Sequence, residues 1–336
     1  MSDWKSSSKR ELILDKVLVV TCGTRCWKIT SDDSSEIVEL ESSHEEADTR
    51  LLLHAKHAAD SGYRNIIVVS EDTDVFVLLL SFAKDISAAL YQKRGTKTRT
   101  QFTNISQLRV ALGDVVCGAL IGFHAFSGCD AVSAFVGRGK IGPLGRMKSN
   151  NVFLDTFTSL GDTWEFSAET FRILQHFTCL MYAPTTKTVL VNELRYELFL
   201  AKRGRVESHL LPPCEGTLKK HVSRANYQAG VWKQSLEKQP VVPDPEGHGW
   251  NRDESGILGI DWMEGMAAPD AVLEMMACQC KRVCKEGECV CLDKGLKCTP
   301  MCNLQNCGNM RDEVEDEMTV DIESDYDDDN DDDDDD

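Results

Sequence analysis

The chain has 336 residues, 37 basic and 55 acidic, for a formal net charge of −18. The imbalance is local: residues 311–336 hold seventeen acids against the single base Arg311, and the other 310 residues carry 38 acids and 36 bases, a net of −2. The body is therefore that of a nearly neutral globular protein, long enough for one core of about 200–250 residues plus appendages. No apolar run reaches the roughly 18–20 residues of a membrane span, and the polar start Met1-Ser-Asp-Trp-Lys5 is no secretory signal. Membrane and exported classes are thereby excluded. The fourteen cysteines read as thiols or metal ligands of an intracellular protein, nuclear before cytoplasmic, and not as disulfides.

Taken in chain order, Val17–Thr21 reads as a strand. Ser43 opens a helix as its N-cap, with Glu46 at the reciprocal capping-box position. Ala47, Leu51, Ala55 and Ala58 continue one helical face, and Gly62 stops it. Ile66–Val69 is a β-branched run of the kind buried in parallel sheets. It ends in Ser70-Glu-Asp-Thr-Asp74, before a second apolar helix over Val75–Phe82. This rhythm is α/β, and Asp72 and Asp74 fall at the carboxyl end of a strand, where open α/β sheets place their sites. A basic excursion spans residues 92–104. The apolar segment Leu108–Phe126 breaks at Ser127-Gly-Cys-Asp130, and a glycine- and base-rich turn follows at 136–143. Helical patterns resume at 150–182, 189–203 and 215–236, and the prolines and glycines of 239–257 read as a linker. The run Asp331–Asp336 has nothing to bury, so the acidic tail 311–336 is expected to be disordered.

Eight cysteines stand at 278, 280, 284, 289, 291, 298, 302 and 307. Zinc prefers four thiolates in a tetrahedron. Eight ligands fill two such sites, or three if some thiolates bridge, and the C-x-C pairs Cys278/Cys280 and Cys289/Cys291 suit bridging. So short a segment has no core of its own, and metal binding supplies its folding energy. The order and spacing, with Asn309 nearby, resemble the tesmin-type CXC domain. Leu304 stands where that pattern has the second cysteine of its last C-x-C, and Glu288 stands where family members often carry a DNA-contacting Tyr. The resemblance implies structural Zn²⁺ and a module that binds nucleic acid or a protein partner.

Five acids stand out by context: Glu46 and Asp48 at a helix start, Asp72 and Asp74 after the apolar strand, and Asp130 after the Ser-Gly-Cys turn. Clustered carboxylates bind Mg²⁺ or Mn²⁺, and paired ions serve phosphodiester cleavage. Each acid also has a structural reading, as the helix cap of its own segment. The ensemble Glu46-Ala-Asp48, Asp72-Thr-Asp74 and Gly128-Cys-Asp130 resembles the flap-endonuclease and PIN-like nuclease superfamily. Gly137-Arg-Gly-Lys-Ile-Gly142 resembles that superfamily's hairpin turn, which implies a phosphate gripped by backbone amides with Arg138 and Lys140 beside it. The stretch from His44 to Asn309 is also similar to a family of transposon-associated animal proteins, through Arg224-Ala-Asn-Tyr-Gln228, Gly247-His-Gly-Trp250 and the terminal cysteines. The superfamily begins with a strand ending in Asp. None of Asp15, Asp32 or Asp33 clearly follows an apolar strand, so the chain reads as N-terminally incomplete, with loss of cleavage the corollary.

Other features carry less. Cys22-x3-Cys26 reads as two incidental thiols, His176 and Cys179 as core-facing, and His221 as solvated surface on a basic helix. Walker, nucleophile-elbow and dinucleotide motifs are absent. The expectation is an α/β protein with a PIN-like three-layer domain at 1–150 built on a central, mostly parallel sheet. A helical extension at 151–238, a linker at 239–270, a zinc module at 278–309 and the acidic tail complete it. The expected function is metal-dependent cleavage of DNA or RNA; the other class is a non-catalytic zinc-containing binding factor derived from a mobile element.

Overall fold

In the computed structural model the chain divides into two units, Met1–Gly265 and Met266–Asp336. The described residues are 13–96, 98–201, 210–264, 278–293, 295, 297–298, 302–304 and 307–309. The acidic tail 311–336, residues 265–270 of the expected linker and Lys97 of the basic excursion lie outside them.

The first unit opens with an antiparallel meander of β1 (Leu18–Cys22), β2 (Arg25–Ile29) and β3 (Ser34–Glu36). Cys22 pairs with Arg25 across a two-residue Gly23-Thr24 turn, and Gly23 takes a φ of 62° there. The first helix, α1 (Ala47–Asp60), begins after Glu46 and not after Ser43. The cause is Arg50, whose guanidinium donates to His44 O, Ser42 O and Gly23 O and holds the preceding segment extended. The buried stripe of α1 is accordingly Leu52, Ala55 and Ala59, one position round from the expected face. Gly62, with φ 93°, follows the helix end, and its N–H bonds Ala59 O.

The strand β4 (Asn65–Val69) pairs in parallel with β5 (Ala89–Arg94) through the crossover helix α2 (Thr73–Phe82). The sheet closes with β6 (Gln101–Asn104), antiparallel to β5. Thus the expected central, mostly parallel sheet is replaced among the described residues by two three-stranded sheets and one hairpin, with a single parallel pair. β4 is an edge strand, so its alternate residues meet different surroundings. Val68, Leu90 and Gln92 lie buried on one face. Ile67 and Val69 point to the other, where they are 54% and 67% exposed beside Phe102. The sequence expected this strand to be buried on both faces.

The apolar run 108–126 is two helices, α3 (Ile105–Leu112) and α4 (Asp114–Ser127), bent by 103° at Gly113, whose φ of 83° an L side chain resists. No single helix among the described residues is long and apolar enough to cross a membrane. α4 is the axis of the core. It packs on α2, on α6 (Asn151–Ser159) and on α9 (Glu215–Lys233). Phe123 and Phe126 meet Phe157 and Phe177 at edge-on and tilted angles. Around these stand α5 (Ile141–Lys148), α7 (Ala168–Tyr182) and α8 (Val191–Ala201).

The expected linker is held in place as far as residue 264. It forms the hairpin β7 (Trp250–Arg252) and β8 (Leu258–Ile260). Buried Arg224 of α9 donates to Gly249 O at 3.0 Å and Asp261 O at 2.9 Å, Lys220 pairs with Asp261, and Tyr227 Oη donates to Pro243 O. Gly249 has φ 96°, and a Cβ there would meet Arg224 Cγ at 2.6 Å, so only glycine fits. His221 is also buried: its Nε2 bonds Phe126 O at 2.8 Å, and burial pushes its pKa down to about 4. The surface role expected for it is therefore wrong. Cys26 and Cys179 are buried, Cys22 is exposed, and His176 rests on Phe153. The second unit contains one short helix, α10 (Val290–Asp293).

Candidate active site and cysteine centre

Two helix N-termini bring the acids together. Glu46 is the N-cap residue of α1 and Asp48 lies in its first turn; Asp72 is the N-cap of α2 and Asp74 lies in its first turn. Partial positive charge at these helix ends offsets some of the carboxylates' mutual repulsion. Asp130 follows Cys129, which bridges back to Val132 at the end of α4. All five acids act on one another. Burial first, then the charges of Asp72, Asp74, Glu46 and Asp130, raise the pKa of Asp48 above the usual carboxylate value.

The carboxylates are held from behind by residues that local sequence did not single out as ligand partners. Glu46 makes no cap hydrogen bond. Its Oε1 accepts from Gln228 Nε2 at 3.0 Å and its Oε2 from Trp232 Nε1 at 3.1 Å. Asp74 Oδ1 lies 2.6 Å from His124 Nε2. The ring of His124 stacks on Trp232 at 5.7 Å, and Lys140 Nζ approaches His124 Nδ1 at 2.8 Å. An ammonium can only donate, so Nδ1 accepts and the imidazole proton belongs on Nε2, where it is donated to Asp74. Asp72 instead caps its own helix, accepting from Asp74 N at 2.8 Å, so its structural reading holds. The helix after Asp130 begins only at Ile141, which removes the capping role considered for that acid.

Lys140 and Arg138 do not sit as a phosphate grip. Lys140 donates to His124 and to Gly128 O at 2.6 Å, and burial lowers its pKa. The Arg138 guanidinium lies 4.5 Å over the ring of Tyr182. Gly128, with φ 117°, touches Ala134, which closes the turn that carries Asp130. Among the described residues no three of the carboxylates bring ligand oxygens within 4.8 Å of one another; the groups that do so are all cysteine. The five acids thus share a field without closing on a point. Carboxylates in this number suit a hard dication, which would draw them inward.

The eight cysteines of the second unit do close. Six are buried, and all are thiols. Three sets have mutual Sγ separations under 4.8 Å: Cys278, Cys289, Cys291 and Cys298; Cys278, Cys280, Cys284 and Cys289; and Cys284, Cys298 and Cys307. Cys302 Sγ lies 3.7 Å from Cys291 Sγ. A tetrahedral metal with bonds of about 2.3 Å to sulfur sets neighbouring sulfurs about 3.8 Å apart. Cys278, Cys284 and Cys298 stand 3.8, 3.8 and 3.9 Å from one another, so the donor set fits zinc. Asn309 Nδ2 donates to Cys298 Sγ at 3.3 Å, the kind of outer contact that orients a thiolate ligand.

Among the site's residues, Gln228 was within reach of sequence reasoning because it closes the Arg224–Gln228 segment. His124 left a fainter trace, as the one ionisable side chain between Val115 and Phe126. Comparison with protein-family models, with curated proteins and with solved structures finds no match.

Proposed function

We propose that the first unit is a PIN-like, metal-dependent phosphodiesterase acting on DNA or RNA. The observation that carries this is the convergence of Glu46, Asp48, Asp72, Asp74 and Asp130 on one field, with Asp48 feeling the other four. The parallel β4–α2–β5 crossover, which delivers Asp72 and Asp74 at a strand's carboxyl end, supports the superfamily reading. Mg²⁺ or Mn²⁺ bound there would supply an activated water and charge stabilisation at the scissile phosphate. Gln228 and Trp232 hold Glu46 in the ligating orientation, and His124 does the same for Asp74. Mn²⁺ titration followed by electron paramagnetic resonance, with cleavage of labelled single-stranded and flap substrates, tests the reading. Asp74→Ala should take cleavage to background, and His124→Ala should weaken Mn²⁺ binding about 10–100-fold. Cleavage by Asp74→Ala at the wild-type rate would remove the site.

A second reading has its own observation. The two cations expected to seat phosphate are turned to Gly128 O, His124 and Tyr182. That arrangement favours a non-catalytic factor derived from a mobile element, in which the carboxylate cluster is a structural relic. In either case the second unit is a zinc module, and its partner is nucleic acid or protein.

A further inference from the structure

We infer that the cysteine cluster holds three zinc ions and that the one bound by Cys284, Cys298 and Cys307 keeps an open coordination position that takes an exogenous thiolate. The inference rests on the zinc reading above. Cys278, Cys284 and Cys298 form a near-equilateral triangle of sulfurs, each edge the length that one shared tetrahedral metal requires. Each corner belongs to two of the three thiolate sets, so these three are the bridging ligands. The edge Cys278–Cys284 is completed by Cys280 and Cys289. The edge Cys278–Cys298 is completed by Cys291 and by Cys302 beside it. The edge Cys284–Cys298 has Cys307 and no fourth cysteine.

The count of bonds says the same. Three four-coordinate ions need twelve metal–sulfur bonds, and eight thiolates of which three are shared supply eleven. No histidine follows His248 in the chain, and no Cys, Asp or Glu is among the residues from 278 to 309 that lie outside the description. Among the described residues no carboxylate joins the third set. Leu304 packs against the cluster and offers no donor atom. A position left open on a protein-bound zinc is where exchangeable ligands bind, as in catalytic zinc sites. A thiol entering it loses its proton to solvent and displaces one water, so the zinc–sulfur bond replaces a zinc–oxygen bond with no change of oxidation state.

The test uses the full chain, its metal counted by native mass spectrometry and then replaced by Co²⁺, in a phosphine reductant. Three metals per chain are expected. Adding 2-mercaptoethanol should raise the sulfur-to-cobalt charge-transfer absorbance saturably by about 9%, the step from eleven bonds to twelve. Leu304→Cys should start at the higher absorbance and no longer respond. Two metals per chain overturn the proposal. So does a wild-type spectrum indifferent to the thiol, including the case in which a carboxylate beyond residue 309 already fills the position. Absence of bound zinc altogether would instead overturn the zinc reading itself.

Discussion

In the first unit the buried atoms are mostly carbon: α4 is covered along its last ten residues, and Trp232, Phe126, Phe157 and Phe177 fill the space around it. In the second unit the buried hydrophobic cluster consists of six cysteines, with only Leu292 and Leu304 as aliphatic neighbours. Burial of apolar area is worth about 25 cal/mol per Å² and accumulates over many contacts, so the first unit distributes its stability. Thiolates close together repel once ionised and gain little from packing, so the second concentrates its stability in a few ligand bonds. The contrast predicts that the same perturbation will fall very unequally on the two.

Metal removal makes the sharpest break. Structural zinc contributes on the order of 10–16 kcal/mol to the folding of small modules at neutral pH. Chelation should therefore abolish amide-exchange protection over 278–309 and leave that of α4 and α9 unchanged. Retained protection in the cysteine segment would show that it has a fold independent of metal.

Inside the first unit the largest single effect is expected at Trp232, which is 2% exposed, donates to Glu46 and stacks on His124. Trp232→Ala should cost about 3–5 kcal/mol, read as a shift in urea midpoint at unchanged slope. A loss under about 1 kcal/mol would mean that α9 is not tied to the acidic site as described.

His221 gives a pH signature next in size. Its folded pKa, about 4, lies below its ordinary value of 6.5, so the unfolded chain binds the proton more readily. The contribution is complete above pH 6.5 and is lost as pH falls toward 4, in total about 3 kcal/mol. His221→Leu should flatten that part of the stability–pH profile; an unchanged slope would place the acid sensitivity elsewhere.

Asp48 gives the smallest effect and the opposite sign. Its pKa is raised, so its charged form is disfavoured in the fold, and the associated stability is present at low pH and lost as pH rises through the raised value. At pH 7 and without divalent metal, Asp48→Asn should raise the melting temperature by about 1–2 °C, kept small by water screening. Mn²⁺ should stabilise the wild type more than the variant. A destabilised variant would mean that Asp48 is engaged by a cation and not by like charges.

Glu46 illustrates how much of the site could be read in advance. The sequence left it between capping box and metal ligand. Local pattern could not choose, because the deciding donors, Gln228 and Trp232, stand 182 and 186 positions away. The same distance hid the ordering of residues 239–264, whose proline content reads as a linker until Arg224 and Tyr227 are brought against their carbonyls. It also hid the inward turn of Lys140, which looks like a surface base in any linear reading.

The sequence by itself determined the identity of the five acids, most helix positions after residue 140 and the eight-cysteine ligand set. Each depends on spacing within a turn or two of chain, and capping, helical periodicity and metal chelation are all short-range. Only the tertiary structure decided that the sheets are small, that one face of β4 is left bare, and that His124, Gln228 and Trp232 stand behind the acids. Those depend on which distant surfaces exclude water together, and hydrophobic contact is non-directional, so no local pattern encodes its partner. The cysteine centre lies between these cases. Its ligands were legible from spacing, but which sulfurs are shared, and where a twelfth bond is lacking, follows from distances among them in space.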